Sequence, residues 1–276
     1  MAVQLTTGLL LGALIGYLAW RANSLSSSGA LAAALIGGLI FGLGGIPWAV
    51  LLLAFFISSS ALSRFGIRRK LALSEKFSKG SQRDWGQVLA NGGLGAVLAL
   101  ALAFGNHQAG LWFAFAGGMA AVNADTWATE LGTFSTAPPR LIINGKIVER
   151  GTSGGVTLLG YLASAGGAAL IGALAALFPP LAASTGVSWP LALGIILLAG
   201  LFGSTVDSLL GGTIQAIYYC PNCEKETERY PRHTCGTETK PLRGWGWLDN
   251  DWVNFACSLA GSLTALGLWL LFQDLL

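Results

Sequence analysis

Residues 29–63 read GALAAALIGGLIFGLGGIPWAVLLLAFFISSSALS, a run without one charged side chain. A membrane-spanning helix needs ~20 mostly apolar residues. This run is too long for one crossing and is interrupted at Gly44-Gly45-Ile46-Pro47, where glycine and proline favour a turn. It therefore reads as two spans, 29–44 and 47–63, joined by a very short connection. Working outward, the same criterion marks 4–22 before it and 87–105, 109–128, 155–178, 190–213 and 252–273 after it. The expected fold is an all-α polytopic bundle of about eight transmembrane helices, with residues 1–276 as a single transmembrane domain. Composition agrees: 53% of residues are hydrophobic and only 11% charged, less than half the charged share of a soluble domain. The apolar start lacks a basic segment and a cleavage site, so it reads as the first span rather than a signal peptide.

Charge placement predicts orientation. All 16 Lys and Arg residues fall in four alternate loops: Arg21; Arg64, Arg68, Arg69, Lys70, Lys76, Lys79 and Arg83; Arg140, Lys146 and Arg150; and Lys225, Arg229, Arg232, Lys240 and Arg243. The intervening loops, at Gly44–Ile46, Asn106–His107 and Pro179–Pro190, carry none. Short cytoplasmic loops collect Lys and Arg, so these four are expected on the cytoplasmic side and both termini on the other. The net charge of +3 is this sorting bias rather than a sign of a nucleic-acid partner.

Ionisable groups within spans cost ~3 kcal/mol on insertion scales and mark function by default. Four spans carry a polar residue on a small-residue stripe at four-residue spacing: Gln87, Asn91, Gly95; Gly117, Ala121, Asp125, Thr129; Gly203, Asp207, Gly211; and Asn250, Asn254, Ser258. That spacing keeps each set on one helix face, and small neighbours turn the face toward another helix. With alternating span directions, Asp125, Asp207, Asn91 and Asn254 all fall in the cytoplasmic half. Asn91 and Asn254 alone could equally be interhelical hydrogen bonds. Two carboxylates at one depth repel unless a cation separates them, and an all-oxygen set suits Mg²⁺. Glu130 and Asp251 are further carboxylates nearby.

The loops add two candidates. Leu141–Ile143 and Ile147–Glu149 flank Asn144-Gly145, predicting a small β-hairpin, after which Arg150-Gly151-Thr152-Ser153-Gly154-Gly155 runs into the sixth span. A glycine-rich turn at a helix N-terminus, beside Lys146 and Arg150, is a candidate phosphate cradle. Lys79-Gly80-Ser81-Gln82-Arg83-Asp84-Trp85 offers further phosphate contacts, or is simply a basic loop with an interfacial Trp. The 214–250 loop holds Cys220-Pro-Asn-Cys223 and His233-Thr-Cys235, the spacing of a Cys₃His zinc site that would staple it. Cys257 lies in the last span as a packing residue. With only two histidines, His107 on the far side and His233 in the zinc set, no histidine base is available at the carboxylates.

Several stretches together carry a resemblance. Asn123-Ala124-Asp125-Thr126-Trp127-Ala128-Thr129-Glu130-Leu131-Gly132, Gly151–Val156, Gly203-Ser204-Thr205-Val206-Asp207-Ser208-Leu209-Leu210-Gly211, Gly80–Trp85 with Asn91-Gly92, and Leu248–Asn254 resemble the phytyl-phosphate kinase family of the vitamin E pathway, in order from about Ser58 to Leu266. The Asp-x-x-Ala-x-x-x-Gly spacing within Asp125–Gly132 is also similar to CTP-dependent polyprenol kinases and phosphatidate cytidylyltransferase. The Cys/His loop is not part of the plant pattern, which favours a structural role for it.

The resemblance implies phosphoryl transfer from a nucleoside triphosphate, CTP favoured, to an isoprenoid monophosphate. Asp125 and Asp207 would hold Mg²⁺. Asn91, Asn254, Glu130 and Asp251 would complete the catalytic set. Lys79, Arg83, Lys146, Arg150, Thr152, Ser153, Gly154 and Gly155 would hold phosphates. Competing expectations are an ion-coupled lipid or anion transporter, and a CTP-dependent enzyme acting on another lipid. A homodimer is left open.

Overall fold

The computed structural model describes residues 2–65, 75–80, 82–105, 108–178 and 187–273. Arg68, Arg69, Lys70, Ser81, Asn106, His107 and residues 179–186 lie outside them. The chain is mostly helical: α1 (Ala2–Arg21), α2 (Ser27–Phe65), α3 (Trp85–Phe104), α4 (Gln108–Gly132), α5 (Leu158–Ala176), α6 (Trp189–Thr213) and α7 (Asn250–Gln273). Six of these, all except α4, are long and apolar enough to cross a membrane.

The stretch at 29–63 behaves as its glycines and proline require. α2 is broken at Gly45, whose φ of 77° and ψ of −165° lie outside the helical region and suit only glycine. In a continuous helix Gly37 and Leu52 would stand ~22 Å apart. Instead a Cβ at Gly37 would lie 3.8 Å from Leu52 Cδ2, so the two arms of α2 fold back on each other. α1 runs antiparallel along the first arm, with Gly8, Gly12 and Gly16 opposite Gly38, Ala34 and Ala30. Backbones this close gain dispersion contact where lipid supplies no hydrophobic drive.

α4 is the hub, packed by α2, α3, α5, α6 and α7. Its residues from Trp112 to Ala124 are almost all buried. Trp112, Phe115 and Met119 join Trp48, Ile40 and Leu51 in the core. Gly117 and Gly261 sit so near one another that a Cβ on Gly117 would come within 2.5 Å of the Gly261 carbonyl oxygen. Because other helices sheathe α4, it needs no apolar surface for lipid, which is why it carries Asn123, Asp125 and Glu130 and fails the hydropathy criterion the others meet.

Three expectations are corrected in the loops. β1 (Arg140–Leu141) pairs with β2 (Gly155–Val156), while the Asn144-Gly145 turn is closed by a single bridge between Arg140 and Ile147. The hairpin is thus minimal, because Gly151 and Gly154, both at positive φ, turn the chain back and bring Gly155–Val156 to β1. The glycine run does not open α5 either: Thr157 is the N-cap, its hydroxyl accepting from the Gly160 N–H. The 214–250 loop contains a three-stranded antiparallel sheet, ordered β4 (Lys225–Thr227), β3 (Ile217–Cys220), β5 (Lys240–Arg243), so the fold is not purely helical.

The loops meet at one end of the bundle. Arg64 donates to Ser24 Oγ, Lys76 pairs with Glu149, Lys225 pairs with Glu75, and Arg243 donates to the Gly211 carbonyl. The described Lys and Arg residues are therefore gathered on a single face. Beside it, Trp245, Trp247 and Trp252 form an exposed aromatic cluster, with Trp245 and Trp247 stacked at 5.7 Å.

Candidate functional site

Two cavities open at that end and share one wall. The first is lined by Arg150, Thr152, Ser153, Gly154 and Gly155 from the β1–α5 connection and by α4 and α6. The second is lined by Lys79, Arg83, Gln87, Asn91, Glu130 and Asn254. Asp125, Thr129, Asp207, Glu228, Asn250 and Phe77 line both. The sequence stripes are thus brought to one point: Asp125 and Asp207, near the C-terminal ends of α4 and α6, meet Asn91 and Asn254, near the starts of α3 and α7.

Asp125 and Asp207 both line the wall that the two cavities share, and Asp207 Oδ2 is buried with no hydrogen-bond partner among the described residues. An orphaned carboxylate oxygen beside a second carboxylate is the environment a hard cation satisfies. Asn91 donates to the Gln87 carbonyl, which fixes its amide with the oxygen left over. Glu130 accepts from Ser63 Oγ at the cavity edge.

A third carboxylate joins them from the sheet. Glu228, next to β4, accepts from the Ser78 N–H (3.3 Å), Ser153 Oγ (3.0 Å) and Gln215 Nε2 (3.0 Å). Burial raises its pKa, against those three donors, which favour the charged form. It ties together the segment before α3, the glycine loop, the end of α6 and the sheet. An acid in a polar loop carries no signal of this in the sequence.

Other candidates sort differently. Lys79 is held by Asp84 (2.9 Å) and Asp251, so its charge is already balanced and Asp251 is turned to it rather than to either cavity. Arg83 lies within electrostatic reach of the Glu130 carboxylate. Its guanidinium donates to Ser59 Oγ (2.9 Å) and Ser60 Oγ (3.3 Å) and lies over the Phe55 and Phe56 rings. Burial lowers its pKa to about 10, so it stays charged at neutral pH, and it lines the second cavity. Arg150 donates to the Thr133 and Thr136 carbonyls at the rim of the first cavity. Lys146 is exposed at the Asn144-Gly145 turn and lines neither cavity.

Gly154 shows why that loop needs glycine. Its φ is +81°, and a Cβ there would lie 2.3 Å from Gly212 Cα. The loop is pressed against α6 one helical turn beyond Asp207, so the cavity wall and the carboxylate share a support.

The Cys₃His group assembles as the spacing predicts. Ligand atoms of Cys220, Cys223, His233 and Cys235 lie within 4.8 Å of one another. Cys220 Sγ and Cys235 Sγ are 3.6 Å apart, and His233 Nδ1 is 3.3 Å from Cys235 Sγ. A tetrahedron with metal–sulfur bonds of ~2.3 Å has sulfur–sulfur edges of about 3.8 Å, so the group fits a metal such as zinc. Cys257 is buried in α7 apart from it.

The comparisons agree with an integral membrane protein. The family described as integral membrane protein DUF92 matches residues 10–262. Protein PGR of Arabidopsis thaliana is 34% identical over 94% of this chain and 94% of its own length. An uncharacterized membrane protein of Synechocystis sp. is 31% identical over 82% of this chain and 78% of its own. One of Methanocaldococcus jannaschii is 32% identical over 62% and 69%. No solved structure matches. With the match covering nearly the whole bundle and both cavity-lining loops, the chain belongs to the integral membrane protein DUF92 family.

Proposed function

We propose that this protein transfers a phosphoryl group from a nucleoside triphosphate, CTP favoured, to an isoprenoid monophosphate such as phytyl phosphate, giving the diphosphate at the cytoplasmic membrane face. The observation that carries the reading is the shared wall. One cavity offers a glycine loop and Arg150, the other offers Arg83, and Asp125, Asp207 and Glu228 stand between them. Two phosphates bound on either side would be brought together at those carboxylates.

In this reaction an acceptor phosphate oxygen forms a bond to the γ-phosphorus. The bond from that phosphorus to the β–γ bridging oxygen breaks, and the nucleoside diphosphate leaves with the electron pair. The acceptor is already an anion near neutral pH, so no base is needed. That fits a site with no described histidine in it. Phosphoryl transfer is catalysed by positioning and charge neutralisation. Thr152–Gly155 and Arg150 would position the donor, Arg83 the acceptor, and Asn91, Asn254 and Glu130 would orient the groups at the wall. Asp125 and Asp207 would hold Mg²⁺, which supplies charge neutralisation when bound. Zinc at Cys220, Cys223, His233 and Cys235 would be structural.

In the same reading the two arms of α2 and the sheathed α4 make eight spans, with both termini non-cytoplasmic. The single basic face and its exposed Trp cluster support that orientation.

The test uses purified protein in detergent with Mg²⁺ and labelled nucleoside triphosphates, offered phytyl phosphate, geranylgeranyl phosphate and the free alcohols. Diphosphate formation from a monophosphate, lost in Asp125→Asn and Asp207→Asn, is the expected result. No turnover with any pair in folded protein would overturn it and leave ion-coupled transport as the better reading.

A further inference from the structure

A third cavity lies between α1, both arms of α2, and α3, away from the glycine loop. Its walls are apolar, with Ile36, Phe41, Leu52, Phe55, Phe56 and Val88 among them. Its polar groups are Arg83, Gln87 and Asn91, and these same three residues line the cavity that contains Asp125 and Asp207. The apolar chamber therefore opens onto the carboxylate site through its polar end, and the one charged group at that opening is positive.

We propose that this chamber binds the head-proximal part of the acceptor's hydrocarbon tail, with Arg83 holding the anionic phosphate at the opening. The assignment rests on the phosphoryl-transfer reading and adds where, and how, the lipid acceptor sits. A nucleotide is disfavoured because, beyond Arg83, Gln87 and Asn91 at the opening, the walls are apolar and would leave most polar groups of a base and ribose unpaired. An anionic head is favoured over a neutral one because the Arg83 guanidinium, though it feels the Glu130 carboxylate, donates its hydrogen bonds to the neutral hydroxyls of Ser59 and Ser60.

Size selects further. The cavity volume is about 180 Å³. A cavity of ~150 Å³ holds one benzene-sized apolar molecule, so this one takes a segment of a single chain and not two side by side. Along the first arm of α2 the chamber runs from Ala33 to Phe41, ~12 Å of helix against a hydrocarbon core of ~30 Å. The rest of a long tail would lie outside, in lipid. Recognition is thus of a single-chain lipid monophosphate, read at its head and first carbons and indifferent to the length of the distal tail.

Two substitutions probe the chamber without touching the carboxylates. A Cβ at Gly37 meets only Leu52 Cδ2, at an ordinary 3.8 Å, so Gly37→Leu extends into the space without a backbone clash. Ala49→Leu fills it from the second arm of α2. The experiment is photolabelling of the full chain in nanodiscs, without nucleotide, by geranylgeranyl phosphate carrying a diazirine near its head. Competitors are geranylgeranyl phosphate, farnesyl phosphate, geranylgeraniol, phosphatidate and inorganic phosphate.

Label is expected on residues 8–15, 33–56 or 88–92. Both isoprenoid phosphates should displace it alike, the alcohol and phosphatidate about tenfold less well, and inorganic phosphate least. Gly37→Leu and Ala49→Leu should each weaken labelling about tenfold, and Arg83→Gln should erase the preference for phosphate over alcohol. Label on α5 or α6, equal displacement by phosphatidate, or full labelling of both filled variants would overturn the assignment. The wild-type label position decides the matter even if a variant fails to fold. Labelling in the chamber with no transfer to any acceptor would sink the kinase reading alone. Transfer that persists in the filled variants would sink the chamber alone.

Discussion

Asp125 on α4 and Asp207 on α6 both stand at the junction of two cavities, and Asp207 Oδ2 finds no hydrogen-bond partner among the described residues. Neither helix alone would hold a carboxylate at this depth. Their meeting depends on the small residues that let α4 and α6 touch: a Cβ at Gly203 would come within 2.4 Å of Ala121 Cβ, and both stand one turn from the acids.

That pairing predicts opposite effects on stability and activity. Without divalent cation the two like charges repel, so Asp207→Asn should unfold at a higher temperature than wild type. With Mg²⁺ the order should reverse, because the wild type gains a bound ion and the variant does not. Phosphoryl transfer should fall about a hundredfold or more in either Asp→Asn variant. Thermal unfolding with and without Mg²⁺ checks the first part, and identical melting shifts in wild type and variant would refute it.

The metal loop should be coupled to the site through Glu228. Cys223 precedes β4 and Glu228 comes just after it, so losing the Cys₃His metal would free the strand that presents Glu228 to Ser78, Ser153 and Gln215. Zinc analysis should give about one ion per chain. Cys220→Ser and Cys235→Ser should lose it together with activity, while Cys257→Ala should keep both. Glu228→Gln should keep zinc and still lower activity, which separates the strand's position from the carboxylate's role. Activity that survives complete chelation would break the link.

Much of this arrangement is legible because membrane sequences are strongly constrained. Uncharged runs mark the helices, and four-residue stripes of small residues place Asp125, Asp207, Asn91 and Asn254 at one level. The Cys/His spacing marks the metal group. What escapes is tertiary. Leu141–Ile143 and Ile147–Glu149 around Asn144-Gly145 suggest a hairpin, yet only Arg140 and Ile147 bridge across it, and positive-φ glycines bring Gly155–Val156 to β1 as well. Lys79 reads as a free phosphate ligand until Asp84 and Asp251 are seen to balance it. Glu228 acquires meaning only from three donors on distant segments.

The glycine loop and the turn before it should respond very differently to mutation. Gly154→Ala puts a Cβ at positive φ against Gly212 Cα, so it should destabilise by ~1–3 kcal/mol and raise the KM for nucleotide. Lys146→Ala, at an exposed turn lining neither cavity, should leave both stability and kinetics within error of wild type. A large KM effect at Lys146 with none at Gly154 would place the donor phosphates elsewhere.

Asp84 joins the segment that carries Lys79 and Arg83 to the start of α3. Its carboxylate accepts from the Gln87 N–H at 3.0 Å, and the Gln87 side chain accepts from the Asp84 N–H, a reciprocal cap. Burial pushes the Asp84 pKa up, but the Gln87 N–H and Lys79 together outweigh it and hold the carboxyl below its ordinary value. A carboxyl with a lowered folded pKa contributes stability above its unfolded pKa and loses that contribution as pH falls through the folded one. Asp84→Ala should therefore cost ~1 kcal/mol at neutral pH, and the gap from wild type should stay constant down to about pH 5 and close below about pH 4. Asp84→Asn keeps an acceptor for Gln87 but not the attraction to Lys79, so it should fall between the two. Unfolding midpoints of the three proteins from pH 3 to 8 measure this, and a gap that widens on acidification would mean that Lys79 and Asp251, rather than the cap, hold the start of α3.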